Sequence, residues 1–271
     1  MSAPMTTPMA GPPAQDDGSR PIPFLRLVKV EFHKAVDTVA SFWLMAAILI
    51  LVILFEGGLL LIVLIESSTS TLADYAFIAQ LISGWTIPVL AIMLVTTEWS
   101  QRTAMVTFAV EPRRLHVIGA KYVVCLVVSL ASSIVALILG FVCAGIAELF
   151  LPDETMWGDQ AGSILGLAVV NLLAMSLGFA LGCLLLNTPA AIVSFFIYRV
   201  LPLAAFAILA GTLDWFADLQ PWISFEYAQG PLYEWDLDRA EEWAHFLVSG
   251  ALWLGLPLGI GMWRILRAEV K

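Results

Sequence analysis

The residues most often used for catalysis and metal binding are few and widely separated in this sequence. Histidines and cysteines number three each: His33, His116, His245, Cys125, Cys143 and Cys183. Each cysteine stands inside an apolar run, which is typical of a packing residue. Glu242 and His245 have the Glu-x-x-His spacing of metal ligands, but two ligands alone make an incomplete site. The sequence therefore predicts no catalytic residue, no metal site and no cofactor on this chain.

Nucleotide hydrolysis by the chain alone is also not expected. A phosphate-binding loop carries its lysine directly after a glycine, so that backbone amides and the ammonium group hold the phosphates together. None of Lys29, Lys34, Lys121 and Lys271 follows a glycine. We therefore expect a chain that is not an enzyme.

Two charged residues, Glu56 and Arg199, stand inside long apolar segments. A charge at such a position costs a few kcal/mol unless it is paired or hydrated. Three interpretations remain open: the two residues form an intramembrane pair, they reach toward the membrane surface, or they contact a substrate in a pathway.

The composition decides which elements position these residues. Of the 271 residues, 60% are hydrophobic and 13% are charged, and the mean hydropathy is +0.90. A membrane-spanning helix needs about 20 apolar residues. Six segments qualify: about Val39 to Ile65, Ala76 to Thr96, Tyr122 to Ala147, Ser163 to Leu186, Ala190 to Gly211 and Ala244 to Trp263. The sequence predicts an all-α polytopic membrane protein with six transmembrane helices.

Small residues recur at intervals of four in three of these segments and predict close helix packing, within the chain or across a dimer. They are Ser132, Ala136, Gly140 and Ala144 in the third segment, Ala174, Gly178 and Gly182 in the fourth, and Ala251, Gly255 and Gly259 in the sixth.

The basic residues predict the orientation of the chain in the membrane. Eleven of the 13 lysines and arginines lie before the first segment, between the second and third, or after the sixth. Because lysine and arginine are retained in cytoplasmic loops, we expect a multi-pass protein of the plasma (inner) membrane with both termini in the cytoplasm.

Three regions lie outside the predicted spans in addition to the loop at residues 97–121. The spans belong to a transmembrane domain over residues 39–271. Residues 1–23 are rich in proline and predict a disordered tail. Residues 24–38 predict an amphipathic elbow helix in the membrane interface, with Lys29, Glu31 and Lys34 among its polar residues. Residues 212–243 carry eight acids and four tryptophans, which predicts an external segment on or in the outer leaflet. A ligand-binding lid would have the same composition.

The cytoplasmic loop over residues 97–121 has the most informative pattern. Thr103 to Val110 predicts two helical turns that end before Pro112. The polar residues of the loop, taken in order with Pro112, are Glu98, Arg102, Thr103, Pro112, Arg113, Arg114 and Lys121. In type and spacing this series resembles the permease subunits of ABC-2 type transporters, which are the membrane half of ATP-driven exporters. Arg102 stands where that family often has glycine.

The resemblance implies a function for the loop. Residues 98–116 would contain a coupling helix that docks on a separate cytoplasmic ATPase, which would bind ATP and Mg²⁺. Arg102, Arg113 and Arg114 would contact acids of the ATPase, and Glu98 would brace the loop against Lys29 or Lys34. A second permease chain, identical or different, and the lipid bilayer are the other expected partners, and no nucleic acid is expected. The cargo of such an exporter would be hydrophobic or amphipathic.

Two other classes of protein remain as alternatives. A gradient-driven secondary transporter would follow an ion gradient and ignore ATP. A non-transporting membrane scaffold or sensor would tolerate neutralisation of both Glu56 and Arg199.

Overall fold

The computed structural model describes residues 22–152, 154–236 and 238–267, and these residues are largely helical. The elements in chain order are α1 (Phe24–Asp37), α2 (Val39–Glu66), β1 (Ser70–Thr71), α3 (Leu72–Ser100), α4 (Ala104–Val110), α5 (Arg114–Phe150), β2 (Thr155–Met156), α6 (Ala161–Leu185), α7 (Thr188–Thr212), α8 (Asp214–Ile223), α9 (Phe225–Ala228), α10 (Gly230–Glu234), α11 (Ala240–Gly250), a π-helical turn (Ala251–Gly255) and α12 (Leu256–Arg267). The tail predicted at residues 1–23 falls outside the described residues up to position 21.

Six helices are long and apolar enough to span a membrane: α2, α3, α5, α6, α7 and the composite helix Ala240–Arg267. The predicted all-α polytopic membrane fold is therefore confirmed. Most of these helices extend beyond the predicted spans, because hydropathy marks the hydrocarbon-embedded part and backbone hydrogen bonding continues past it. A capping box begins α3, where Thr71 Oγ1 accepts from the Asp74 amide at 3.2 Å and the Asp74 carboxylate accepts from the Thr71 amide at 2.8 Å.

A break at Thr38 separates α1 from α2. Thr38 is extended, with ψ at 138°, and its hydroxyl accepts from the Ser41 amide at 3.2 Å as the N-cap of α2. The elbow segment is therefore a helix of its own. It turns one row, Leu27, Glu31 and Ala35, into the bundle.

Helices α3 and α6 form the centre of the bundle, surrounded by the other spans. A Cβ atom built on Gly178 of α6 would lie 2.5 Å from the carbonyl oxygen of Pro88 in α3, so only glycine permits this approach. Gly140 of α5 meets Tyr75 of α3 in the same way, at 3.0 Å. The predicted small-residue faces of the third and fourth segments thus pack within the chain.

The predicted small-residue face of the sixth segment does not pack against the described part of the chain, and its packing across a dimer stays a prediction. Gly255 and Gly259 lie on the exposed side of the helix, and Gly261 contacts α6 at Cys183 instead. The π-helical turn that precedes Pro257 shifts the register, because proline provides no amide for the carbonyl four residues earlier.

The two ends of the bundle carry opposite charge. The basic end contains α1, α4 and the end of α12, where Arg264 and Arg267 lie in the last turn. The acidic end contains a short parallel pairing of β1 with β2 and the segment formed by α8, α9 and α10. We call residues 214–234, which contain α8, α9 and α10, the inserted segment.

Part of the inserted segment enters the bundle, whereas most of α8 stays exposed at the acidic end. Phe225 is only 2% exposed, and the backbone of Leu232 lies directly against Gly166 of α6. Glu226 accepts a hydrogen bond from Arg199. At a rise of about 1.5 Å per residue, the Cα of Arg199 lies about 20 Å from Thr212, the last residue of α7. The part of the segment around Phe225 and Leu232 therefore packs against the helices of the bundle.

Candidate functional site

Four charged side chains meet at the basic end, where α1, α3 and α5 come together. Lys121 donates to Oε2 of Glu31 at 2.6 Å and to Oε1 of Glu98 at 3.1 Å. Lys34 donates to Oε1 of Glu31 at 2.7 Å and to Oε1 of Glu98 at 2.8 Å. We call Glu31, Lys34, Glu98 and Lys121 the ionic cluster. The negative charges of its two carboxylates equal the positive charges of its two ammonium groups.

The ionic cluster is largely shielded from water. Glu31 is 3% exposed and Lys121 is 4% exposed, so each charge needs its partners to offset the loss of hydration. The Lys34 side chain is 41% exposed. Partial burial acts to lower the pKa of Lys34, but the carboxylates of Glu31 and Glu98 outweigh this and raise the pKa above its usual 10.5. Lys34 is therefore charged at neutral pH.

The contact that the sequence suggested for Glu98 is made by one of its two candidate partners. Lys34 bonds to Glu98, whereas Lys29 is exposed on α1. Glu31 and Lys121 complete the cluster, so residues from α1 and from both ends of the predicted loop converge on one point.

A tight turn connects α3 to α4. Arg102 has a φ of 57°, a left-handed conformation that glycine adopts without strain and other residues rarely adopt. The amide of Thr103 then donates to the carbonyl of Glu98 at 2.9 Å and closes the turn. Arg102 thus has the backbone conformation that a glycine at this position would favour.

The short helix α4 has one packed face and one exposed face. The ring of Phe108 packs against Trp99, with centroids 6.1 Å apart, and the Arg114 guanidinium lies 5.0 Å from the Phe108 centroid. On the other face, Met105 and Val106 are 49% and 66% exposed. The predicted helix at Thr103 to Val110 is present as Ala104–Val110 and ends before Pro112.

Arg113 bonds within the chain. Its Nε donates to Oε1 of Glu111 at 2.8 Å, and its Nη2 donates to the carbonyl of Ile22 at 3.3 Å. The hydrogen bond from Arg113 lowers the pKa of Glu111. Arg113 therefore fixes the connection between α4 and α5 and the start of α1.

Arg114 also has partners within the chain. Its Nη1 donates to the carbonyl of Ile265 at 2.6 Å, at the end of α12, where helical carbonyls lack amide partners. Arg102, by contrast, is exposed and forms no ion pair with any residue that the structure describes. Of the three predicted docking arginines, Arg102 is the one whose side chain stands clear of such contacts.

Arg199 and Glu56 do not form an ion pair. Arg199 donates to Glu226 of the inserted segment instead, and its guanidinium lies 5.1 Å from the ring centroid of Trp85 in α3. Arg199 and Glu56 are both buried, at 9% and 1% exposed. The interpretation of the two residues as a direct pair is therefore wrong for this structure, because Glu226 is the closer carboxylate.

Glu56 lies in α2 with neither carboxylate oxygen hydrogen-bonded to a described residue. The Tyr75 hydroxyl is also buried and forms no hydrogen bond with a described residue. Tyr75 belongs to an apolar cluster with Leu60, Val63, Ala144 and Ala147.

Sequence reasoning missed two polar groups inside the bundle. Glu226 belongs to a run of exposed-looking acids, so nothing in its type or spacing marks it as the partner of Arg199. Asn171 of α6 donates to the hydroxyls of Ser132 and Ser133 at 3.1 Å and 3.0 Å and accepts from Ser83 at 3.2 Å. A lone asparagine in an apolar span is a detectable signal for such a network.

The described part of the chain contains no candidate metal-binding site. No group of three or more His, Cys, Asp or Glu side chains there is arranged to hold a metal ion. His245 faces Trp222, with ring centroids 4.4 Å apart, and lies 3.8 Å from Glu241. Cys125 and Cys183 are buried and Cys143 is half-buried, all as free thiols.

Comparison with known proteins gives no match, either to a protein-family model or to a curated protein sequence.

Proposed function

We propose that this chain is the permease subunit of an ABC transporter of the ABC-2 type. The observation that carries the proposal is α4, a short helix with an exposed apolar face. Its Phe108 holds it on the bundle by packing against Trp99 and Arg114. The loop series from Glu98 to Lys121, whose resemblance to that family was described above, supports the same assignment. In this proposal the chain is not an enzyme, and a separate ATPase binds ATP and Mg²⁺.

The contacts of α4 suggest how a force on it would reach the membrane. Phe108 of α4 packs against Trp99 in the last turn of α3, next to Glu98, and Glu98 forms an ion pair with Lys121 of α5 at 3.1 Å. Lys34 adds α1 to the same junction. A push on α4 would thus act on α1, α3 and α5 together, which is the mechanical coupling that an ATP-driven permease needs.

The orientation belongs to the proposal. With the basic end in the cytoplasm, α4 faces the ATPase, α1 lies in the interface of the inner leaflet, and both termini are cytoplasmic. The membrane is the plasma (inner) membrane. The exposed apolar faces of α2 and α7 then face lipid and a second permease chain.

The pathway in this proposal exports a hydrophobic or amphipathic substrate. Apolar side chains dominate the bundle, and the polar groups within it include Glu56, the Asn171 network and the Arg199–Glu226 pair. A small number of polar groups in an apolar site is typical of sites that orient an amphipathic ligand.

The test is purification of the full chain from its native membrane in a mild detergent, followed by identification of co-purifying proteins and an ATP hydrolysis assay. We expect an ATPase to co-purify. The variant Met105→Asp/Val106→Asp should lose it, because aspartates replace the exposed apolar contacts of α4. Met156→Asp is the control, since Met156 is 56% exposed at the opposite end of the bundle.

Two results would contradict the proposal. One is a chain that purifies alone from several mild detergents, which would favour a gradient-driven carrier or a scaffold. The other is an ATPase that co-purifies equally with wild type, the α4 variant and the Met156→Asp control, which would remove the docking role of α4.

A further inference from the structure

Two cavities share a wall beneath α1. The first has a volume of about 330 Å³ and lies between α1, α2, α3 and α5. The second has a volume of about 360 Å³ and lies between α1, α3 and α4, closer to the basic end. Ala35 and Leu90 line both cavities, so they are adjacent. We call them the apolar chamber and the polar chamber.

The apolar chamber is lined almost entirely by hydrocarbon. Its walls include Met45 and Leu49 of α2, Ile87 of α3, and Val128 and Ala131 of α5. From the level of α1 it extends to the middle of the spans, and only two hydroxyl groups, of Ser83 and Ser132, face it. Its volume falls in the range of about 300–1,000 Å³ that is usual for ligand sites.

The polar chamber presents a donor and an acceptor side by side. The Lys34 ammonium has three N–H groups and uses two on Glu31 and Glu98. Glu98 receives both of its hydrogen bonds through Oε1, and its Oε2 accepts none from the residues described. Because Lys34 and Glu98 belong to a balanced cluster, the chamber matches a ligand that carries both charges.

We propose that the two chambers together bind one zwitterionic phospholipid with a primary ammonium group, such as phosphatidylethanolamine. An acyl chain fills the apolar chamber, the phosphate accepts from Lys34, and the ammonium group donates to Oε2 of Glu98. The headgroup lies toward the basic end and the chain toward the middle of the spans, as in a lipid of the adjoining leaflet. This proposal does not depend on the proposed transport function.

The two parts of the headgroup distinguish this ligand from other membrane lipids. An anionic lipid without an ammonium group would place its phosphate next to Glu98 without offsetting that carboxylate. A choline headgroup carries a positive charge but no N–H to donate to Oε2. The chamber therefore selects for an ammonium that is both charged and a hydrogen-bond donor.

Native mass spectrometry of the full chain in detergent tests the proposal. Delipidated protein is titrated in parallel with dioleoyl phosphatidylethanolamine, dioleoyl phosphatidylcholine and dioleoyl phosphatidylglycerol. We expect one molecule of the first lipid to bind at least about tenfold more tightly than either of the others, a difference of about 1.4 kcal/mol. Tighter binding of the phosphatidylglycerol, or equal binding of all three, would overturn the proposal.

Variants that fill the apolar chamber locate the site. Ala131→Trp on α5 and Leu49→Trp on α2 enter it from opposite walls and should each weaken binding of the phosphatidylethanolamine at least about tenfold. Val142→Trp is the control, because Val142 is 55% exposed on α5 away from the chamber. Equal affinity of the control and of both chamber variants would place the lipid elsewhere and reject the site.

Discussion

The ammonium group of Lys121 lies 2.6 Å from Oε2 of Glu31, and both side chains are almost completely buried. Glu31 belongs to α1 and Lys121 to α5, so this pair holds the N-terminal helix on the bundle. Removal of one partner from such a pair leaves an uncompensated charge that has lost its hydration.

The first prediction concerns Lys121. In Lys121→Met, the carboxylates of Glu31 and Glu98 share only Lys34, and we expect a loss of about 3–5 kcal/mol in the free energy of unfolding. Thermal unfolding in detergent measures this loss, and limited proteolysis should cut the α1–α2 connection faster. Lys29→Met is the control on exposed α1 surface and should change neither. A Lys121→Met variant as stable as the control would mean that the pair does not anchor α1.

The second prediction is a pH dependence from Lys34. Because the pKa of Lys34 is raised in the folded state, its pairing stabilises the fold fully at pH values below the usual 10.5 and is lost as the pH rises past the raised value. Unfolding temperature should therefore fall more steeply above this pH in wild type than in Lys34→Met, which lacks the titrating group. Parallel slopes for the two proteins would show that Lys34 carries no pH-linked stability.

The third prediction separates the two candidate partners of Arg199. Arg199→Glu leaves two carboxylates facing each other across α7 and the inserted segment, so we expect strong destabilisation. The double variant Arg199→Glu/Glu226→Arg should recover a large part of the lost stability and expression. The double variant Glu56→Arg/Arg199→Glu should recover none. Rescue by the second double variant but not the first would assign the partner to Glu56.

The fourth prediction concerns strain at Arg102. A left-handed backbone costs a non-glycine residue about 1–2 kcal/mol, whereas glycine adopts it freely but loses about 0.5–1 kcal/mol more in backbone entropy. Arg102→Gly should therefore raise the free energy of unfolding by up to about 1 kcal/mol. Arg102→Ala keeps the backbone strain and should leave the free energy of unfolding unchanged. Chemical denaturation of both variants would decide, and a gain of the same size in alanine would point to the lost charge instead.

The sequence predicted the number of spans because hydrophobic length alone determines them. It also predicted a separate α1, whose polar and apolar residues alternate with helical period. The partner of Arg199 was not predictable, since Glu226 reaches it only when the inserted segment folds back among the helices. Hydropathy describes each helix relative to lipid, whereas this contact depends on how one segment packs between others. The left-handed turn at Arg102 was hidden for a related reason, because an arginine gives no local signal of positive φ.

The last prediction tests the contact between the two central helices. In Gly178→Ala, the new methyl group would lie 2.5 Å from the Pro88 carbonyl oxygen, so α3 and α6 must separate. Overpacking of this kind costs about 1–3 kcal/mol, measured as a lower unfolding temperature and denaturation midpoint. Gly145→Ala is the matched control, because a Cβ at Gly145 of α5 meets no atom within 4 Å. Alanine there should be neutral or stabilising by up to about 1 kcal/mol, since it favours the helix. If Gly178→Ala and Gly145→Ala were stabilised alike, the approach of α3 to α6 would not need glycine. The close contact between Gly178 and Pro88 would then be contradicted.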